Sequence, residues 1–311
     1  MTMFHSAPRL PLAFALVFAV SCTPATPSPA NPTPAPATAA SPAAPDESEA
    51  PAFAASDTGR TDIVIGTSMV MDSKIWQGPR TINISLPWGY DKRVGERFPV
   101  LYLIDGGVQQ DFHPMAGMTA LASLTRQYRE FVLVGVQTEN RYHELTAPSQ
   151  VPADLESIPK NGGAARFRRH LLEEVKPYIE ARYRTSGEDA IIGESLAGLF
   201  IAETFLRAPG SFTHYVAVSP SLWWRDMGLA KETASLLARG GFAGRSLFLT
   251  VADEGGTMQE GIERVVAALR AAAPVGLIWW YEPMAGEHHH TIYNPATLQA
   301  LRRIFAPPSE K

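Results

Sequence analysis

The sequence predicts an α/β domain in which helices cover both faces of a mostly parallel β-sheet. From Asp62 onward, short apolar segments alternate with segments of helical periodicity, a pattern typical of strands buried between two layers of helices. One short apolar segment ends in a glycine-containing turn that carries Ser195 and leads into a helix. Ligands of parallel sheets bind beyond the carboxyl ends of the strands, so we expect the chemistry in the segments that follow them.

The individual elements are predicted from runs and spacings of apolar residues. Strands are predicted at residues 63–71, 81–86, 99–104, 131–136, 190–192, 215–218, 247–251 and 277–281. A helix is predicted over residues 164–183, because large apolar residues there fall close to one helical face. They are Phe167, Leu171, Val175, Tyr178 and Ile179. Further helices are predicted at residues 199–206 and 295–305.

The beginning of the chain has the pattern of a bacterial export signal. Arg9 precedes an apolar run over residues 10–20, which is shorter than a membrane span and is followed by small residues. The pattern predicts a signal peptide over residues 1–22. Residues 19–22 resemble a lipobox, which predicts a lipid anchor on Cys22. A plainly cleaved signal and an uncleaved anchor are the alternatives.

The next segment has a composition that does not favour folding. Residues 23–61 are rich in Pro, Ala, Ser and Thr and contain almost no large apolar side chain, so they cannot bury enough surface to offset the entropy of ordering. They are predicted as a flexible linker. Residues 62–311 then form the folded domain of an exported protein, located in the periplasm or anchored to a membrane through Cys22.

Composition excludes several classes of partner and site. The net charge is -4, and no basic stripe of the kind that nucleic acid requires is present. Cys22 is the single cysteine, which rules out an intramolecular disulfide and a multi-cysteine metal site. The histidine run 288–290 lacks the i, i+4 spacing of a helical metal pair. No metal, cofactor or nucleic acid is therefore predicted.

Ser195 is the candidate nucleophile. It lies in Gly193-Glu194-Ser195-Leu196-Ala197-Gly198, which is close to the G-x-S-x-G motif of a nucleophile elbow, a sharp strand-to-helix turn that exposes a serine hydroxyl. Small residues are needed there because the backbone turns sharply. The alternative is that Ser195 is an ordinary helix N-cap.

A serine nucleophile needs a base and an acid to orient that base, and the order of the triad in this type of fold is Ser, acid, His. His288, His289 and His290 follow the last predicted strand, and adjacent side chains point in different directions, so at most one can reach Ser195. Asp253 and Glu254 follow the strand at residues 247–251. Spacing in the sequence does not decide which of the three histidines is the base or which of the two carboxylates is the acid. For the two carboxylates, a solvated acidic turn is the alternative.

Two further features are expected near the serine. The N–H of Leu196 and a backbone N–H of the Asp105-Gly106-Gly107 turn are candidate oxyanion donors. For the turn, an ordinary strand ending is the alternative.

Aromatic and charged residues are also candidates for substrate contacts. Trp223 and Trp224 follow the strand after the elbow, where they either wall the site or pack a loop. Arg141 and Glu144 either touch a polar substrate or form a structural ion pair.

Several segments together resemble one known family. They are Ser73-Lys74 with Pro79-Arg80, Leu86-Pro87-Trp88-Gly89-Tyr90, Pro99 through Gly106, Arg141 with Glu144-Leu145-Thr146, Gly193 through Phe200, and Ser219-Pro220-Ser221-Leu222-Trp223-Trp224. The resemblance is to the esterase family of α/β-hydrolases that contains the siderophore (enterochelin-type) esterases. It covers residues from about Thr61 to Phe305, which is nearly all of the predicted domain.

The resemblance implies an α/β-hydrolase fold and a choice among the candidates. The family histidine is usually followed by a small residue and then Ser, Thr or Pro, which fits His289 best as the base. Similar sequences favour Glu254 over Asp253 as the acid. The second oxyanion donor corresponds to Gly107.

The implied function is that of a serine esterase without a cofactor. It would cleave a carboxylic ester of a small molecule through an acyl-enzyme, as siderophore esterases do. Two alternatives stay open: an acyltransferase that uses the same triad, and a non-catalytic exported binding lipoprotein.

Overall fold

The computed structural model describes residue 59 and residues 61–307, and a β-sheet runs through its centre. The sheet has eight strands in the order β1-β2-β4-β3-β5-β6-β7-β8. β1 and β2 pair antiparallel with their neighbours, whereas β3 to β8 are parallel to one another. The predicted fold class, a mostly parallel sheet of the α/β-hydrolase type, is confirmed.

The strands are β1 (Thr67–Ser73), β2 (Gly78–Ser85), β3 (Phe98–Ile104), β4 (Val132–Val136), β5 (Thr185–Glu194), β6 (His214–Val218), β7 (Ser246–Thr250) and β8 (Ile278–Tyr281). The helices are α1 (Phe112–Thr125), α2 (Arg141–Glu144), α3 (Pro152–Ser157), α4 (Ala164–His170), α5 (Lys176–Arg182), α6 (Leu196–Arg207), α7 (Trp224–Leu237), α8 (Gly256–Ala272) and α9 (Tyr293–Ile304). A short 3-10 turn lies at Tyr90–Lys92, and a π-helical turn, Leu171–Val175, joins α4 to α5.

The two faces of the sheet carry separate parts of the hydrophobic core. Along β3, Val100, Tyr102 and Ile104 belong to one cluster, whereas Leu101 and Leu103 belong to the other. This alternation follows from the two-residue period of a strand. Helices α4 to α8 cover the first face, and α1 with α9 covers the second. Both faces are therefore apolar, which explains why β3 is a continuous apolar run in the sequence.

The boundaries of some elements differ from the prediction. β1 begins at Thr67 rather than at residue 63, because Ile63 and Val64 are exposed and pair with none of the strands in the described part of the chain. β5 is longer than the predicted 190–192, since its polar first half also pairs with β3. The helix predicted over 164–183 is present as α4, the π-helical turn and α5.

Three predictions concern residues outside the described part of the chain. They are the signal peptide over residues 1–22, the lipid anchor on Cys22 and nearly all of the linker at 23–61. Within the described residues, no helix combines the length and the apolar character needed to cross a bilayer.

Candidate active site

The turn between β5 and α6 holds Ser195 in an unusual backbone conformation. Its φ is 61° and its ψ is -117°, a region that non-glycine residues rarely adopt. The surroundings fix this conformation: the Ser195 N–H donates to the carbonyl of Val218 on β6 at 3.0 Å. A Cβ added at Gly198 would lie 2.7 Å from that same carbonyl oxygen. The small residues of the motif therefore allow α6 to pack directly against β6.

The structure brings Ser195, His289 and Glu254 into one hydrogen-bonded series. His289 Nε2 lies 3.1 Å from Ser195 Oγ, and His289 Nδ1 lies 2.9 Å from Glu254 Oε1. Glu254 follows β7 and His289 follows β8, so both come from the carboxyl end of the sheet. The Glu254 side chain is 7% exposed and that of His289 is 34% exposed. A Nδ1 proton directed at the carboxylate leaves Nε2 free to accept the serine proton.

The carboxylate also sets the basicity of the imidazole. The hydrogen bond from His289 to Glu254 raises the pKa of His289 above its ordinary value, and partial burial acts in the opposite direction. The negative charges of Glu254 and Glu194 raise this pKa further. The imidazolium that forms when His289 Nε2 accepts the serine proton is thus stabilised.

The other candidates for base and acid have different environments. His288 and His290 line the cavity in front of Ser195. The His288 backbone N–H donates to Thr291 Oγ1, and its carbonyl accepts from the backbone N–H groups of Thr291 and Ile292. Asp253 is exposed at the cavity mouth, and its backbone N–H donates to the Glu287 carbonyl. Of the two neighbouring acids, Glu254 is the one that contacts the imidazole.

The two candidate oxyanion donors differ in availability. Leu196 provides the first N–H of α6, a position without an intrahelical acceptor, and it lines the cavity. The N–H of Gly107 instead donates to Gln110 Oε1 at 2.9 Å. Gln110 is held in turn by Thr138, to which its Nε2 donates at 2.9 and 3.1 Å. An oxyanion could use Gly107 only by replacing the Gln110 carbonyl oxygen.

A cavity of about 730 Å³ opens above Ser195. Trp223 lines it, with further contributions from Tyr142, Ile158 and Met258. Trp224 does not: it is 2% exposed, and its indole N–H donates to the Ala147 carbonyl. Of the two candidate tryptophans, Trp223 therefore lines the cavity, whereas Trp224 packs in the core. The buried indole N–H of Trp224 needs a hydrogen-bond acceptor, and the Ala147 carbonyl supplies one.

Arg141 lines the cavity, and its guanidinium also contacts Asp105 and the Glu194 carbonyl. Its Nε lies 2.7 Å from Asp105 Oδ2, and its guanidinium also donates to the Glu194 carbonyl at 3.3 Å. The ion pair considered between Arg141 and Glu144 is not formed. Glu144 is buried and instead accepts two hydrogen bonds from Arg80 at 2.7 and 2.9 Å.

Several residues of the site were not predicted. Ser221 Oγ lies 3.3 Å from Ser195 Oγ, and the Ser221 N–H donates to the Ser195 carbonyl. Its position in the Ser219-Pro220-Ser221 turn after β6 was the available signal. Tyr142, Ile158 and Met258 carried no signal, because their arrival at the cavity depends on how the connecting segments fold.

No group of three or more His, Cys, Asp or Glu side chains within residues 61–307 is arranged to hold a metal ion. The contacts described above are hydrogen bonds and charges supplied by the chain itself. They can move one proton from a serine hydroxyl to an imidazole and stabilise the charge that results.

The sheet order and the Ser–His–Glu contacts define the class as that of the α/β-hydrolases. The chain belongs to an esterase family within that class: residues 73–247, more than half of the chain, match the family described as "Putative esterase".

Individual relatives agree with this assignment. Ferri-bacillibactin esterase BesA of Bacillus subtilis is 31% identical over 155 residues, which are 44% of this chain and 52% of BesA. Siderophore enterobactin esterase of Emericella nidulans is 27% identical over 194 residues, 55% of this chain and 61% of that protein. The chain thus spans about half to three fifths of these relatives. An IroE-like serine hydrolase from Shewanella oneidensis is 25% identical with a TM-score of 0.66, covering 77% of this chain and 80% of that one.

The packing of the elbow gives a test of stability. A Cβ added at Gly193 would lie 2.5 Å from the Cβ of Ala197, so we expect Gly193→Ala to lower the free energy of unfolding by about 1–3 kcal/mol. Adding Ala197→Gly removes the clashing atom and should recover most of that loss, apart from the roughly 1 kcal/mol that glycine costs within a helix. Urea unfolding of the two single variants and the double variant measures the coupling. Additive losses would contradict this packing.

Proposed function

We propose that this protein is a serine esterase that cleaves a carboxylic ester through an acyl-enzyme. The observation that carries the proposal is the hydrogen-bonded series from Ser195 through His289 to Glu254, which opens on a cavity. Membership of the esterase family supports the same reaction class. Each of the three residues then has a separate role.

In the first step, Ser195 Oγ attacks the ester carbonyl while His289 Nε2 accepts the hydroxyl proton. The tetrahedral intermediate collapses, the C–O bond to the alcohol breaks, and His289 returns the proton to the departing alkoxide. Glu254 keeps the imidazole oriented and offsets its positive charge. The products of this step are a free alcohol and an acyl group bonded to Ser195.

In the second step, water attacks the acyl carbonyl while His289 accepts a proton from it. Collapse breaks the bond to Ser195 Oγ, which recovers the proton, and the carboxylic acid leaves. The Leu196 N–H stabilises the oxyanion in both steps, which lowers the activation free energy by about 3 kcal/mol. Gly107 provides the second donor once the oxyanion has displaced the Gln110 side chain.

The substrate class that we propose is a siderophore-type ester. The curated relatives are named for ferri-bacillibactin and enterobactin. The cavity is compatible with such molecules, since it combines the large aromatic face of Trp223 with the guanidinium of Arg141. Aromatic faces and guanidinium groups suit planar, electron-rich acyl groups.

The roles of the nucleophile and the base are tested by substitution. Ser195→Ala and His289→Ala should each reduce kcat by at least about 10³-fold, because the two residues act as one unit. The assay uses p-nitrophenyl esters, enterobactin and ferri-bacillibactin, with products separated by chromatography. An added alcohol tests for acyl transfer, which would appear as a new ester. A folded wild-type protein that neither turns over nor labels with a fluorophosphonate would overturn the proposal in favour of a binding protein.

The role of the acid is tested with its neighbour as a matched control. Glu254→Gln removes the carboxylate that contacts His289, and we expect kcat to fall by about 10³ to 10⁴-fold. Asp253→Asn removes an equal charge one residue away and should leave kcat within about two-fold, because an exposed carboxylate contributes little. Because the imidazole must be neutral to act as a base and its pKa is raised, wild-type activity should decline as the pH falls through that pKa. Equal losses in the two variants would argue against Glu254.

We also propose that the protein is exported and anchored through a lipid on Cys22. The basic residue Arg9, the apolar run and the small residues before Cys22 support this location. In a bacterial host supplied with radiolabelled palmitate, the wild-type chain should incorporate label and sediment with membranes, whereas Cys22→Ser should do neither. Equal labelling of the two chains would contradict the anchor.

A further inference from the structure

A second carboxylate lies beside the nucleophile without an ionic partner. Glu194 is the last residue of β5 and immediately precedes Ser195. Its Oε1 is buried and has no hydrogen-bond partner among the described residues, and none of the ion pairs in the described part of the chain includes it. A carboxylate in such a position is costly, because burial removes water and nothing replaces the lost hydrogen bonds.

The charged groups around Glu194 come from four other elements. The charges that act on Glu194 are those of His289 and Glu254, in the loops after β8 and β7, of Asp111 at the start of α1, and of Arg141 on α2. Arg141 is already engaged by Asp105 at 2.7 Å. Arg141 is thus shared with another acid, and the other positive group that acts on Glu194 is the imidazole of His289.

The buried end of α9 adds a polar group to the same region. The Tyr293 hydroxyl is buried and has no hydrogen-bond partner in the described part of the chain. Burial raises the pKa of Tyr293, and the charges of Asp111, Glu194 and Asp105 act in the same direction. The phenol therefore stays protonated and contributes no charge to the surroundings of Glu194.

The net effect of these groups is that Glu194 titrates close to neutrality. Burial raises the pKa of Glu194 to about 7, with Asp111 adding to the effect and His289 opposing it. Burial also raises the pKa of Asp111 to about 6, and the charge of Asp105 adds to this. An ionised Glu194 in turn raises the pKa of His289.

We propose that Glu194 is a positioning residue that acts through His289. From its position next to Ser195, its carboxylate supplies a second negative charge in addition to that of Glu254. This charge stabilises the imidazolium formed when Ser195 gives up its proton. The inference rests on the proposed esterase mechanism for its catalytic meaning. The sign is fixed by charge: removing the negative charge of Glu194 makes protonation of His289 harder, so the pKa of His289 must fall.

The test measures the pKa of His289 in the full chain. The histidine rings are isotope-labelled, their NMR signals are recorded from pH 4 to 9, and the His289→Ala variant identifies the signal of His289. Glu194→Gln should lower the pKa of His289 by about 0.5, and Glu194→Asp should restore part of that loss. Asp111→Asn is the matched control: it removes a neighbouring negative charge while leaving Glu194 easier to ionise, so the pKa of His289 should not fall.

Kinetics provide a second readout that a purely structural role would not move. The acid limb of the kcat/KM profile should shift to lower pH in Glu194→Gln by the amount seen in the NMR titration, while the plateau falls by about ten-fold. A folded Glu194→Gln protein with an unchanged His289 titration would overturn the inference and leave the esterase proposal standing. Absence of turnover in the wild type would overturn the esterase proposal, and the NMR titration would still decide the coupling.

The wild-type chain provides a measurement that does not depend on how well the variants fold. Two groups that interact and titrate in the same range give a titration curve with two inflections rather than one. We expect the His289 ring signal to show a second inflection where Glu194 ionises, near pH 7. A single inflection, together with a Glu194 carboxyl signal that titrates in the ordinary range of a glutamate, would overturn the inference.

Discussion

The contacts of His289 with Ser195 and Glu254 place the strictest geometric demand on this fold. The three side chains follow β5, β7 and β8, with β6 lying between β5 and β7. Their atoms meet at 2.9 and 3.1 Å only if the parallel strands keep their order and register. The parallel strands thus fix the relative positions of the three side chains. The core on both faces of the sheet keeps the strands in place, because close-packed interiors allow little displacement.

The sequence predicted the elements whose pattern is local. All eight strands were found because their apolar runs are bounded by turn residues, and α4, α6 and α9 were found from helical spacing. Helix α8 carries Ile262, Val265, Val266 and Leu269 at helical spacing, so it was within reach of the same reasoning. Helix α1 is different: its apolar residues are spread around the helix, and its contacts with the sheet decide its fold. The beginning of β1 was misplaced because apolar character does not show where a partner strand begins.

The candidate site divides in the same way between local and distant information. Ser195 was identified because its motif lies within six adjacent residues, whereas the choice of His289 and Glu254 came from the family resemblance. Contacts between distant residues were not predictable from spacing. Examples are Arg80 with Glu144, Arg141 with Asp105, and Gln110 on the Gly107 N–H. Each depends on which loops the sheet brings together, and that is a property of the assembled fold.

Two unfavourable features occupy adjacent positions at the elbow. Ser195 holds a positive φ, and Glu194 holds a buried carboxyl oxygen that has no hydrogen-bond partner among residues 61–307. Backbone strain of this kind costs about 1–3 kcal/mol, and an ordinary turn with an apolar residue before it would avoid both features. The core is extensive enough to tolerate them, since both faces of the sheet are covered. Strain and an unpaired charge persist where the surrounding structure imposes them, and they cluster at functional sites. The pair therefore supports the proposed active site at the end of β5 on physical grounds that are independent of the serine motif.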